Sequence, residues 1–132
     1  MTRLTAILMC LALAGCTIAV SETQVVNPGA EVTLAAGATA SVKNTAMKVR
    51  FVAVTEDSRC PRDVTCIWAG EIKVLFAIGV APAASQVEIR EGGSTAAGGY
   101  RVTLVRVEPQ RTSAAKIAPK DYRATLKVEK AS

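Results

Sequence analysis

Apolar and polar residues alternate with a period of two along most of this chain beyond residue 30, and that period predicts β-strands. The clearest run is 70–80, where Ile72, Val74, Phe76, Ile78 and Val80 share one face against Glu71, Lys73, Leu75 and Ala77. Residues 47–55 form the other strong candidate, rich in Val and Phe and apolar on both faces in their second half. Such a run suits a central strand with at least one well-buried face. Shorter alternations mark 31–34, 39–42 and 86–91, the last with Val87 and Ile89 inward, and 24–26 is a candidate first edge strand. Residues 100–107, ended by Glu108-Pro109, form a further strong strand. Residues 121–129 close the series with Tyr122, Ala124, Leu126 and Val128 inward.

The punctuation between these runs agrees with them. Asn27-Pro28-Gly29, Ala36-Gly37, Lys43-Asn44 and Pro82 are turn or break signals, and the glycine-flanked stretch 92–99 reads as a flexible connection. Residues 110–120 are a polar, lysine-bearing connection with room for one helical turn over 114–120, limited by Pro119. No longer segment after Cys16 has a helical period. Seven or eight strands joined by short connections predict an all-β fold: an antiparallel, immunoglobulin-like β-sandwich first, a small β-barrel second.

The N-terminus stands apart from this pattern. One cation at Arg3 precedes an almost wholly apolar run over 4–14, and Leu13-Ala14-Gly15-Cys16 follows. Length and order are those of a secretory signal, too short to remain as a membrane-spanning helix. The last four residues resemble the lipobox of bacterial lipoproteins, with Met9 making Cys10 a poor rival for the modified position. The resemblance implies cleavage before Cys16, diacylglycerol on its sulfur and usually a third acyl chain on its amine. At roughly 0.8 kcal/mol per buried CH₂, three chains make a lasting anchor where one would be marginal. The expected organisation is a signal peptide over 1–15, a lipidated tether over 16–29 and one β-domain over 30–132. The expected location is the bacterial cell envelope, on the outer membrane facing the periplasm.

Charge adds little. Without Arg3 the chain carries 15 basic and 11 acidic side chains, mildly basic and evenly spread. No basic run interleaved with aromatics points to nucleic acid.

The stretch 56–70 carries the densest chemistry: Glu-Asp-Ser-Arg-Cys-Pro-Arg-Asp-Val-Thr-Cys-Ile-Trp-Ala-Gly. With Cys10 removed and Cys16 acylated, Cys60 and Cys66 are the cysteines that remain, and export makes a disulfide between them the default. Closing so short a loop is worth about 2.3 kcal/mol in the chain-entropy picture, so its larger effect is on local shape. Asp57 either caps a turn or pairs with Arg59 or Arg62, while Glu56, Asp57 and Asp63 are the acids available to a hard cation such as calcium. Turn chemistry is the commoner use, and no metal or cofactor is expected. Trp68 is expected to shield the disulfide and the edge of the core, with Arg59, Arg62 and Asp63 displayed at the tip.

Catalysis finds little to stand on. The chain contains no histidine, which removes the usual general base and every Ser-His or Cys-His arrangement. The Cys60–Cys66 spacing differs from redox and zinc pairs. Ser113 and Lys116 formally match a Ser-x-x-Lys pattern but lack its companion motifs and helical setting. The glycine pairs at 92–93 and 98–99 lack the Gly-Lys-Ser/Thr ending of a phosphate loop.

Asp57-Ser58-Arg59-Cys60-Pro61, then Cys66, then Trp68-Ala69-Gly70 resembles a signature of many small exported bacterial lipoproteins, and residues 121–128 are similar to their closing strand. The resemblance implies a shared β-domain with a disulfide and carries no activity with it. The expectation is therefore a non-enzymatic envelope domain, bound to the membrane through Cys16, with a structural or protein-binding role and a possible envelope protein partner. The alternative is an inhibitor of a protease or lysozyme that presents the Cys60–Cys66 loop, with Arg62 or Asp63 entering the cleft.

Overall fold

The computed structural model describes residues 23–80 and 82–131. The expected signal peptide, the lipidation site Cys16 and the first part of the tether lie outside them. The described residues form a β-sandwich of nine strands and two sheets, with no closed barrel. In chain order these are β1 (Thr23–Val26), β2 (Glu31–Ala35), β3 (Thr39–Val42), β4 (Met47–Asp57) and β5 (Ile72–Val80). They continue as β6 (Ser85–Arg90), β7 (Ser94–Ala97), β8 (Tyr100–Glu108) and β9 (Arg123–Lys130). One sheet has the order β1-β3-β4-β5-β6 and faces a second ordered β2-β9-β8-β7.

The inward residues of both sheets make one core. Phe51, Phe76, Leu34, Met47, Ile72, Leu104 and Leu126 are its largest fully buried side chains. The Phe51 and Phe76 rings pack tilted across the β4–β5 pair with centroids 5.9 Å apart. Burying each such side chain is worth about 1.5–3 kcal/mol, which is why the period-two pattern selects this architecture. On β5 the inward face holds from Ile72 to Ile78, but Val80 is half exposed at the strand's end.

Four features depart from the sequence reading. The stretch 92–99 contains a real strand, β7, paired with β8 from Ser94↔Thr103 to Ala97↔Tyr100. Its small side chains make little alternation, but Gly98 and Gly99 both have positive φ and close a tight hairpin that only glycine adopts freely. The β1–β3 pair is parallel, because β2 crosses to the opposite sheet and the chain has reversed twice on its return. The helical turn falls later than 114–120, as a short 3₁₀ turn over Pro119–Asp121 with the proline at its start.

The fourth departure concerns β4. Its apolar run Phe51-Val52-Ala53-Val54 does not bury both faces; the register against β5 shifts instead, between Phe51 and Ala53 and again between Val54 and Glu56. Phe51 stands opposite Phe76, Val54 opposite Val74, and Asp57 opposite Ile72, and all three partners point into the core. Each bulge moves the inward face by one residue. The first brings Val54 to the inner face in place of Ala53, and the second restores the original parity, so Asp57 faces inward at the end of the sandwich where the 58–71 connection begins.

Candidate functional site

The 58–71 connection starts from that inward Asp57. Arg59, two residues on, folds back over it: Nε donates to Asp57 Oδ1 at 2.8 Å and Nη2 to Oδ2 at 2.9 Å. The guanidinium also reaches the second sheet, with Nη1 donating to the Val107 carbonyl at 2.9 Å and Nη2 to the Pro109 carbonyl at 3.0 Å. The Tyr122 hydroxyl, just ahead of β9, donates to Asp57 Oδ2 at 2.8 Å. The pair is buried and bidentate, and both carboxylate oxygens are matched. Arg59 was expected at the surface with Arg62 and Asp63; at 8 % exposure it is an interior residue, because only there do its donors meet these carbonyls.

Burial alone would raise the Asp57 carboxyl, but the hydrogen bonds from Arg59 and Tyr122 and the charge of Arg59 outweigh it and hold it below its ordinary value. The Arg59 guanidinium is pushed the other way, chiefly by its hydrogen bonds to Asp57. Burial, then the hydrogen bond to Asp57, push Tyr122 up to about 12.

The rest of the connection is bolted onto this centre. Arg111 Nη1 donates to the Arg59 carbonyl at 2.9 Å and to the Asp57 carbonyl at 3.3 Å. Ser58 and Glu71 exchange hydrogen bonds at the neck, and the Cys60 amide donates to the Ala69 carbonyl at 3.0 Å. Gly70 has φ +67°, and a Cβ there would overlap the Ser58 carbonyl, so the neck closes only around glycine. Cys60 and Cys66 are disulfide-bonded, with Cα atoms 5.9 Å apart. On the outer side the Arg62 amide donates to the Arg111 carbonyl at 2.9 Å. The Ser113 amide donates to Asp63 Oδ1 at 2.9 Å, and the Ser113 hydroxyl donates to Asp63 Oδ2. These bonds lower the Asp63 carboxyl.

The three acids considered for a cation are thus drawn to three different partners. Asp57 turns inward to Arg59, Asp63 outward to Ser113, and Glu56 to Lys73 at 3.2 Å. Among the described residues no group of three or more acidic or cysteine side chains converges as a metal cage would require. Ser113 and Lys116 both line a shallow hollow of about 430 Å³ beside Tyr122, but the serine hydroxyl is given to Asp63.

With Asp57, Arg59 and Asp63 engaged within the chain, the loop turns apolar side chains outward. Ile67 is 94 % and Trp68 82 % exposed, and Val64 is half exposed. Trp68 was expected to cover the disulfide; it does not, because the buried Asp57–Arg59 pair already closes the core at this end and leaves the ring no inner surface to pack against. Arg62 stays at the surface. Tyr122, Arg111 and Ser113 complete the arrangement from across the fold, 50 to 65 residues along the chain from their partners. Of these, the sequence marked Tyr122 as an inward position of the closing strand and Ser113 only as part of a formal Ser-x-x-Lys match, while nothing singled out Arg111. The chain matches no protein-family model, no curated protein and no solved structure.

The burial contrast predicts opposite outcomes for the two large side chains of the loop. Arg59→Ala strands the Asp57 carboxylate inside and should cost about 3–5 kcal/mol in urea unfolding. Trp68→Ala should stay within about 0.5 kcal/mol of the parent, as exposed substitutions do, where a packed tryptophan would cost several kcal/mol.

The two titrating groups predict stability losses at opposite ends of the pH scale. Asp57 sits below its unfolded value, so its contribution is complete above about pH 4 and is lost as pH falls through the folded value. Tyr122 is raised, so its contribution is complete below about pH 10 and is lost as pH climbs toward about 12. Unfolding curves across pH should show the acid limb flattened in Asp57→Asn and the alkaline limb flattened in Tyr122→Phe.

Proposed function

We propose that this chain is a lipid-anchored, non-catalytic β-domain of the bacterial cell envelope whose disulfide-closed loop is its contact surface. The anchor rests on the Leu13-Ala14-Gly15-Cys16 pattern behind its short apolar run. The absence of catalysis rests on a chain without histidine and on the internal pairing of Asp57, Arg59 and Asp63, which leaves none of them free as an acid, base or nucleophile.

The observation that carries the contact role is the exposure of Ile67 and Trp68 on a loop built to be rigid. Three constraints hold that loop: the Cys60–Cys66 bridge, the Arg59 anchor and the Ser113 tie to Asp63. A rigid surface loses little conformational entropy when it is covered, so a small apolar tip suffices for useful affinity. Inhibition of a hydrolase through Arg62 or Asp63 has weaker support, because Asp63 is already engaged and the outermost side chains are apolar.

The anchor is tested in cells. Globomycin, or Cys16→Ala, should leave an unprocessed precursor or release a soluble product into the periplasm. Unchanged processing and unchanged membrane partition would overturn the lipoprotein reading.

A further inference from the structure

The direction in which the chain enters the sandwich decides which end of it faces a membrane anchor. β1 begins at Thr23 beside Thr39, which pairs with Arg50, and ends at Val26 beside Val42, next to the start of β4 at Met47. β4 runs the opposite way, from Met47 up to Asp57 and the disulfide loop. β1 therefore runs away from the loop, and its first residue, Thr23, is the one nearer the loop's end of the sandwich. The last strand ends at the other end, where the residue after Lys130 bonds to Gly99 in the β7–β8 hairpin.

The tether is long enough to reach. Six residues, 17 to 22, separate Cys16 from the start of β1 at Thr23, and the seven steps between those two Cα atoms span at most roughly 23–25 Å when fully extended. From Arg50, level with Thr23, β4 advances to Asp57 over the five β5 steps from Ala77 to Ile72, because its two bulges add residues without adding rise, and so covers roughly 17 Å. An anchor at Cys16 thus holds the loop end of the domain within one short leash of the bilayer. The apolar side chains Ile67, Trp68 and Val64 are presented at that same end.

We infer that the tip of the 60–70 loop docks onto the phospholipid bilayer that holds the anchor, with Ile67 and Trp68 inserted at the headgroup boundary. This rests on the lipoprotein reading above. Tryptophan suits the place: its ring is apolar and its indole N–H finds partners among headgroups, so it concentrates at membrane interfaces. The tip carries one cation and one anion, Arg62 and Asp63, and the anion is tied to Ser113, so no net charge opposes the approach. Nor does the contact need to be strong alone, since a short tether makes it intramolecular and raises its effective concentration. Docking would fix the orientation of the sandwich, with the β7–β8 hairpin end turned away from the membrane.

Trp68 is the single tryptophan of the chain, which makes it its own probe. The mature chain, purified from membranes, is reconstituted into phosphatidylethanolamine–phosphatidylglycerol vesicles with and without brominated acyl chains. Insertion to about 5–10 Å should shift the Trp68 emission to the blue, lower it roughly twofold with bromolipid and shield it from acrylamide. Ile67→Asp should reverse these changes while the chain still floats with the vesicles. Emission that stays water-like and acrylamide-accessible on floated vesicles overturns the docking, and capture of the tip by an envelope protein in its place does the same. Mass spectrometry and flotation read the anchor separately. If the chain carries no acyl groups, the lipoprotein reading fails and the tethered docking falls with it, whereas water-like emission from an acylated, floated chain overturns the docking alone.

Discussion

The buried pair of Asp57 and Arg59 is the interaction on which this molecule's distinctive end depends. Removing two charges from water is expensive, and a buried pair holds only when every remaining donor and acceptor is matched. Here Nε, Nη1 and Nη2 of Arg59 all find oxygen, and Asp57 is matched by Arg59 and Tyr122. Those partners belong to both sheets: Asp57 ends β4, while Val107 and Pro109 lie at the end of β8 and Tyr122 just before β9. The pair thus clamps the sandwich shut at one end and gives the disulfide loop a fixed base.

Two backbone irregularities shape the strand that leads to that clamp. A regular β4 that buries Met47, Val49 and Phe51 would carry Asp57 inward only by parity, with Val52 and Val54 outward and Ala53 and Thr55 inward. The bulges replace that sequence, bringing Val54 opposite Val74 and then returning Asp57 to the inner face opposite Ile72. A carboxylate arriving at the core margin needs a cation at once, and Arg59 is two residues away. The neck then demands glycine at position 70, where a side chain would strike the Ser58 carbonyl. Local chemistry, bulge geometry and loop closure support one another.

The same economy shapes the surface. With Asp57 and Arg59 paired inside the fold and Asp63 tied to Ser113 at the surface, the large outward side chains of the loop are Ile67, Trp68 and Val64, together with Arg62. Large apolar groups held out by a rigid frame cost solubility and return nothing to the core, which points to a contact surface. A first strand that starts toward that end, with six residues between Cys16 and Thr23, leaves this surface within reach of the proposed membrane anchor.

The sequence by itself determined the strands, the two-layer β architecture and the cysteine pair, because period-two alternation and cysteine arithmetic are local signals. It also marked Asp57 and Arg59 as possible partners, since they stand two residues apart. What it missed depends on register and on distance along the chain. β7 has side chains too small to alternate visibly, and the parallel β1–β3 pair follows from a strand changing sheets. Whether Arg59 lies inside and Trp68 outside was decided by tertiary structure alone. The carbonyls of Val107 and Pro109 and the hydroxyl of Tyr122 are brought to Asp57 and Arg59 only when the sheets close. A guanidinium is buried where its hydrogen bonds are waiting, and an indole is left in water where the space beneath it is already filled.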